Sequence, residues 1–151
     1  TLTTIKGGYL MASLRHVADR TYLLERADRT VVVLNKIDSV GEICWGHFWY
    51  RVGDLYGFMN ELGERICEPT LVAVRDFEKS MHAPVKSSKG WGFIDNYGRA
   101  TCKLEYDAVY SYNNGVAKVE KDSKILYLDR VGVEPNGDYM NDVFKRIWEG
   151  K

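Results

Sequence analysis

Three cysteines and three histidines are the residues of this chain best suited to nucleophilic or metal chemistry. Cys44 and His47 are the one such pair close in sequence, and a thiol beside an imidazole is the usual pairing of a cysteine nucleophile with its base. On a strand, residues i and i+3 face opposite sides, so these two side chains need a kink at Gly46 to meet. A catalytic pair is therefore one interpretation, and two structural residues is the other.

The remaining cysteines and histidines give no metal pattern. Cys67 and Cys102 are 35 residues apart, and no Cys-x-x-Cys is present. Zinc needs three or four ligands at suitable spacing, and the histidines at 16, 47 and 82 are too scattered to supply it. We expect no metal and no cofactor, and interpret both cysteines as small core residues. A disulfide between them is the alternative, and it requires neighbouring strands that place the two Cα atoms about 5.5 Å apart.

Asp95 and Asp129 could act as paired carboxylates, but their context indicates a structural role. Each stands just before a turn that closes with a glycine, at Gly98 and Gly132. Asp side chains in such positions accept hydrogen bonds from backbone N–H groups of the turn. We therefore predict that both carboxylates stabilise turns.

These residues lie within a repeat. Residues 90–95 read Gly-Trp-Gly-Phe-Ile-Asp, and residues 55–60 read Leu-Tyr-Gly-Phe-Met-Asn, at an offset of 35. A third copy covers residues 124–132 at an offset of 34, and a faint fourth covers residues 22–30, where Asp28 is the turn residue in place of Gly. A fixed period of this size indicates a repeat architecture.

The copy at residues 90–119 resembles the WG-repeat family, also called KWG repeats. The likeness extends over residues 22–132, with departures at Tyr56, which replaces Trp, and at residues 125–126, where Ile-Leu replaces Trp-Gly. The resemblance implies tandem β-rich repeats, mostly bacterial, that serve as interaction modules. It supplies no catalytic residues.

The fold class that follows is all-β, with diverged repeats of about 35 residues built from short antiparallel strands. We predict one domain over residues 1–151, with the repeats at 21–132. Residues 1–20 are interpreted as an N-terminal cap or tail containing a short helix, because Leu10, Leu14 and Val17 fall at helical spacing.

Two further stretches of the repeat region carry specific predictions. Residues 77–89 are the longest loop candidate, and Pro84 within them predicts an edge strand or a broken one, since proline cannot donate to a ladder. In residues 106–112, alternation predicts that Tyr106, Tyr110 and Tyr112 share one face of a strand.

The C-terminal segment, residues 133–151, changes to a helical pattern. Met140, Val143, Phe144, Ile147 and Trp148 form one apolar stripe at helical spacing. A repeat array needs terminal caps, so one interpretation is that this helix covers the last repeat. The other is that its Phe, Ile and Trp side chains dock on another chain.

Composition restricts the partners. Lys plus Arg and Asp plus Glu are 21 each, and no basic run exceeds two residues, so we expect no nucleic-acid partner. No apolar run approaches 18 residues, so no membrane span is predicted. The odd cysteine number favours a reducing, cytoplasmic location, although a leader before Thr1 could have been removed.

The function predicted from these features is a non-enzymatic protein-binding or scaffolding module. The alternative is a carbohydrate- or cell-wall-binding module that uses exposed Tyr and Trp side chains, and a small enzyme is the third reading. Exposed aromatic rows bind apolar segments or sugars. The candidate binding residues are Trp45, Trp49, Tyr110, Tyr112, Phe144 and Trp148.

Overall fold

The computed structural model describes residues 4–6 and 9–151. These residues form short antiparallel strands followed by a C-terminal helix, which confirms the predicted all-β repeat fold. The strands are β1 (Thr4–Lys6), β2 (Tyr9–Met11), β3 (Ser13–Ala18), β4 (Thr21–Glu25), β5 (Val31–Asn35), β6 (Ser39–Val40), β7 (His47–Val52), β8 (Leu55–Asn60), β9 (Arg65–Leu71), β10 (Ala73–Val74), β11 (His82–Lys86), β12 (Trp91–Asp95), β13 (Ala108–Asn113), β14 (Val116–Lys121) and β15 (Lys124–Leu128); the helix is α1 (Asp138–Trp148).

The chain divides into two compact units, Thr1–Thr70 and Leu71–Lys151. In the first unit the described strands form the hairpin β1–β2, the sheet β3-β4-β5 and the sheet β6-β7-β8-β9. Its core is built from alternate strand residues that face inward, chiefly Leu24, Leu34, Phe48, Tyr50 and Met59. That the whole chain is one domain stays a prediction.

The second unit contains the sheets β10-β11-β12 and β13-β14-β15 and the helix α1. Its core brings the motif phenylalanine of the central copy together with the inward residues of the last sheet. The buried members are Phe93, Tyr106, Val109, Tyr112, Ala117, Val119 and Leu128.

The inner glycine of the repeat unit allows a close chain crossing. A Cβ at Gly57 would overlap the carbonyl oxygen of Cys67 and lie 2.9 Å from the carbonyl carbon of Glu68. At Gly92 it would overlap the Leu104 side chain and lie 3.2 Å from the Leu104 Cα. Only glycine leaves room for the following segment to cross the strand at these distances.

The predicted N-terminal helix is wrong within the described residues, because residues 13–18 form strand β3. Leu14 packs against the first core, whereas Val17 is exposed, so the two do not share a helical face. Leu14 pairs with Leu24 and His16 with Tyr22 on β4, and this hairpin pairing outweighs the helical spacing.

The predicted loop at residues 77–89 is also wrong, because it contains β11, the central strand of its sheet. Pro84 pairs with Phe93 on β12, and its carbonyl accepts a hydrogen bond from the Arg75 N–H on the other side. In an antiparallel strand the N and C=O of one residue point to the same side. The N of Pro84, which carries no hydrogen, therefore points toward Arg75, the residue after the end of β10. The proline therefore sits where that ladder has already stopped.

The predicted face of three tyrosines is wrong because β13 contains a bulge. Val109 pairs with Val119 and Tyr112 with Ala117, so two residues of β13 oppose one residue of β14. The extra residue reverses the alternation, leaving Tyr110 exposed and Tyr112 buried. Tyr106 lies before β13, buried at an isolated bridge to Trp91.

Candidate functional site

The motif carboxylates are used inside the turns, as predicted. Asp95 Oδ1 accepts hydrogen bonds from the N–H groups of Tyr97 at 2.9 Å and Arg99 at 3.0 Å. Asn60 and Asp129 accept the same pair of bonds, from the residues two and four positions ahead. Burial opposes ionisation of Asp95, but the hydrogen bonds from Arg99 and Tyr97 lower its pKa overall.

In the first copy the structure corrects the identity of the turn residue. Arg29, with φ of 75°, occupies the position that glycine holds in the other copies. Its N–H donates to the Arg26 carbonyl, as the Gly98 N–H donates to the Asp95 carbonyl. Asp28 instead accepts from the Thr30 N–H.

The cysteines and histidines are held in structural contacts. Cys44 and His47 pair across a tight turn through backbone hydrogen bonds of 2.8 and 3.1 Å, and His47 Nδ1 donates to the Trp45 carbonyl at 2.8 Å. No disulfide joins the three cysteines. Cys67 and Cys102 are half-buried, and burial raises the pKa of both thiols, which opposes thiolate formation.

His82 is the repeat equivalent of His47 and lies in the second core. Its ring stacks on Tyr112 with centroids 4.1 Å apart, and its Nε2 donates to the Arg130 carbonyl at 3.1 Å. Burial lowers the pKa of His82, which favours the neutral imidazole. Within the described residues, no group of three or more His, Cys, Asp or Glu side chains is placed to hold a metal ion.

The six predicted binding residues fall in both units and differ in exposure. In the first unit Trp45 is exposed at a turn, whereas Trp49 packs on Gly41 and meets Tyr56 edge-on at 5.4 Å. In the second unit Tyr112 is buried, and its hydroxyl donates to the Asp129 carbonyl at 2.8 Å.

The other three predicted residues lie near α1. Tyr110 is exposed, with Lys118 Nζ 4.9 Å from its ring centroid. Trp148 Nε1 donates to the Ser111 carbonyl at 2.9 Å, so this side chain ties the helix to β13. Phe144 is half-buried on the same helix. These contacts favour the helix as a cap on its own sheet.

An exposed apolar surface that the prediction missed lies on the first sheet. Val31 and Val33 on β5 are 48% and 54% exposed. Both pair with β4, Val31 opposite Glu25 and Val33 opposite the half-buried Leu23. We call Leu23, Val31 and Val33, together with the outer edge of β5, the β5 surface.

The backbone of β5 offers hydrogen-bonding groups on the same side. The Arg26 N–H donates to the Thr30 carbonyl, so the pairs that exchange hydrogen bonds across β4 and β5 are those of even-numbered residues. The N–H and C=O groups of Val31, Val33 and Asn35 therefore point away from β4. Among the described residues β5 has no strand on that side. A sequence signal existed, the uncharged run Val-Val-Val-Leu-Asn, but it does not reveal which edge stays open.

The fold therefore defines a β-repeat protein with structural turn carboxylates and, among the described strands, an open apolar edge at β5. Comparison with known families narrows this class: residues 91–124 match the family described as WG containing repeat. The matched segment overlaps the copy at residues 90–119, which confirms that this copy is a WG repeat. Comparison with curated proteins finds no match. Within the described part of the chain, no helix has the length and apolarity to cross a bilayer.

Proposed function

We propose that this chain is a non-enzymatic protein-binding module and that the β5 surface makes the contact. The supporting observation is that two β-branched side chains, Val31 and Val33, stand about half exposed beside Leu23 on a regular strand. Burying such side chains contributes about 1.5–3 kcal/mol each when they are fully covered. A partner that covers this surface therefore gains affinity without requiring a deep pocket.

The carbohydrate-binding alternative stays a prediction. Aromatic side chains bind sugars best when several are exposed side by side. Within each unit only one member of the predicted set is exposed, Trp45 in the first and Tyr110 in the second, so neither unit by itself presents a row of them. The geometry therefore gives more support to a protein contact.

The test is retention of proteins from host lysate on the immobilised chain, read by mass spectrometry. The comparison variant is Val31→Thr with Val33→Thr, which keeps the β-branched shape and the backbone but removes the apolar surface. We expect at least one protein to be retained specifically, and about tenfold less of it on the double variant.

Val17→Thr is the matched control, because Val17 is an exposed valine on β3, the opposite edge strand of the same sheet. This variant should retain the partner as the unaltered chain does. Equal retention by the chain and by blank resin would overturn the proposed function. Removing α1 is a poorer test, because the helix also covers strand edges of its own sheet.

A further inference from the structure

The outer edge of β5 differs from most other edges of the described sheets, because those edges carry features that prevent a further strand from pairing with them. Open strand edges promote unwanted pairing, and proteins usually block them with bulges, prolines, charges, short strands or covering segments. The β15 edge is covered by Asn141 of α1, whose Oδ1 accepts from the Tyr127 N–H at 3.1 Å and whose Nδ2 donates to the Ile125 carbonyl at 3.2 Å. This side-chain amide takes the place of a neighbouring strand.

The remaining edges beyond the β1–β2 hairpin carry other devices. Strands β3 and β13 each contain a register shift, and β6 and β10 have two residues each. Pro69 lies within β9, and residues 100–106 run along β12, where Trp91 and Tyr106 exchange backbone hydrogen bonds of 2.8 and 2.9 Å. By contrast, β5 has no proline, no charged residue and a continuous register with β4.

A positively charged residue lies at each end of this open edge. Arg29 precedes β5 and Lys36 follows it, and both side chains are exposed. Neither takes part in the ion pairs found among the described residues, which join Arg20 to Asp38, Arg65 to Glu68, Arg99 to Asp95 and Lys121 to Glu105. A strand laid along β5 would therefore meet apolar surface in the middle and a cation at each end.

We propose that the open edge of β5 receives an extended apolar segment of a partner protein, flanked by acidic residues, as an added strand. This inference rests on the proposed function of protein binding. Backbone groups of Val31, Val33 and Asn35 supply the ladder, and the exposed valines supply the apolar contact. The acidic flanks pair with Arg29 and Lys36, which sets where the segment begins and ends.

A second copy of this chain fits the edge less well. Antiparallel self-pairing centred on Val33 brings Arg29 of one copy next to Lys36 of the other, at both ends of the pairing. The two cations are one position out of direct opposition, close enough for their like charges to repel. The partner segment must therefore differ from β5 in its flanking charges.

The test uses a synthetic heptapeptide that alternates valine and threonine and carries a glutamate at each end, with capped termini. Its matched control has a lysine at each end. We expect the glutamate peptide to shift the amide resonances of Val31, Val33 and Asn35 and to slow their hydrogen exchange. It should bind about tenfold more tightly than the lysine peptide, because the charge interactions with Arg29 and Lys36 are attractive for glutamate and repulsive for lysine.

Two sets of variants separate the contribution of the backbone hydrogen bonds to binding from that of the charges. Val33→Pro removes one outward N–H and should weaken binding of the glutamate peptide about tenfold. Arg29→Asn with Lys36→Asn removes both cations, and asparagine tolerates the positive φ of 75° and 62° at these positions. This charge variant should bind the two peptides equally, and Val17→Lys on β3 should bind them as the unaltered chain does.

Any of three results with the peptides would overturn the inference: no binding of the glutamate peptide, resonance shifts that fall outside β5, or equal affinity for the two peptides on the unaltered chain. Should Val33→Pro fail to fold, the charge variant still decides the matter. Concentration-dependent dimerisation through β5 would favour a second copy instead and would also overturn it. If lysate proteins are retained specifically while the peptide fails, the proposed function stands and only the strand-addition inference falls.

Discussion

At the scale of residues, the turn carboxylates show how local chemistry determines local structure. Asn60, Asp95 and Asp129 each accept two backbone N–H groups, and each turn closes with a glycine of φ between 82° and 85°. All the partners lie within four residues of the side chain, so the pattern could be predicted from the sequence. The use of Asn60 at this position shows that the oxygen acceptor, not the charge, is required.

The inner glycines provide the first prediction. Gly57→Ala should destabilise the chain by about 2–3 kcal/mol, because the new Cβ meets rigid backbone at Cys67 and Glu68. Gly92→Ala should cost about 1–2 kcal/mol, because the closest atom belongs to the movable Leu104 side chain. Denaturant unfolding of both variants measures the difference.

The control for this prediction is Gly92→Ala combined with Leu104→Ala. Shortening Leu104 removes the worst overlap, so the loss on adding the alanine should be smaller than in the chain with Leu104. Equal destabilisation by the two glycine variants would contradict the proposed distinction between backbone and side-chain obstruction.

The buried histidine provides a prediction of pH dependence. Burial lowers the pKa of His82 in the folded chain, whereas the unfolded chain has the ordinary value of about 6.5. The unfolded state therefore binds the proton more readily, and stability is fully present above about pH 6.5 and declines as the pH falls below that value. Unfolding free energies measured at a series of pH values should show this decline.

In His82→Gln the same decline should be smaller, because the titrating group is gone. Gln can still donate a hydrogen bond toward the Arg130 carbonyl, which limits the direct structural loss. An unchanged pH dependence in this variant would assign the effect to other groups.

At the scale of elements, the helix α1 is joined to its sheet by three polar contacts as well as by its apolar stripe. Asn141 covers the edge of β15, Trp148 donates to β13, and Asn114 Nδ2 donates to the Ile147 carbonyl near the helix end. The last repeat has Leu126 where the central copy has Gly92, so it lacks the room that Gly92 gives a crossing segment. The chain after this copy forms a helix instead.

The edge contact of Asn141 gives the third prediction. Asn141→Ala should destabilise the second unit by about 1–2 kcal/mol and speed the hydrogen exchange of the Tyr127 amide. Opening this edge should also promote association at high concentration, which light scattering measures. Asp142→Ala on the exposed side of the same helix is the control, and an equal effect there would refute a specific role for Asn141.

At the scale of the whole molecule, the two compact units have separate cores. The first core draws on residues up to Met59 and the second on residues from Phe93 onward. Repeat proteins combine the stability of each unit with that of neighbouring contacts. A unit with its own core and its own helical cap has the elements needed to fold alone.

We therefore expect a fragment of residues 71–151 to fold without the preceding residues. Its amide spectrum should be dispersed, and it should unfold cooperatively on heating. A fragment that stays unfolded would show that the second unit depends on the first and would favour the single domain predicted from the sequence.

The sequence by itself determined the features that depend on neighbours along the chain: the repeat period, the turn residues Asp95 and Asp129, and the helix at the C-terminus. Hydrogen bonds that span four residues or fewer are encoded locally. Only the tertiary structure decided which edges are covered, that Pro84 lies in a central strand, that the bulge buries Tyr112, and that β5 remains open. These outcomes depend on which strands pair and in what register, and a one-residue change in register reverses which side chains face the core.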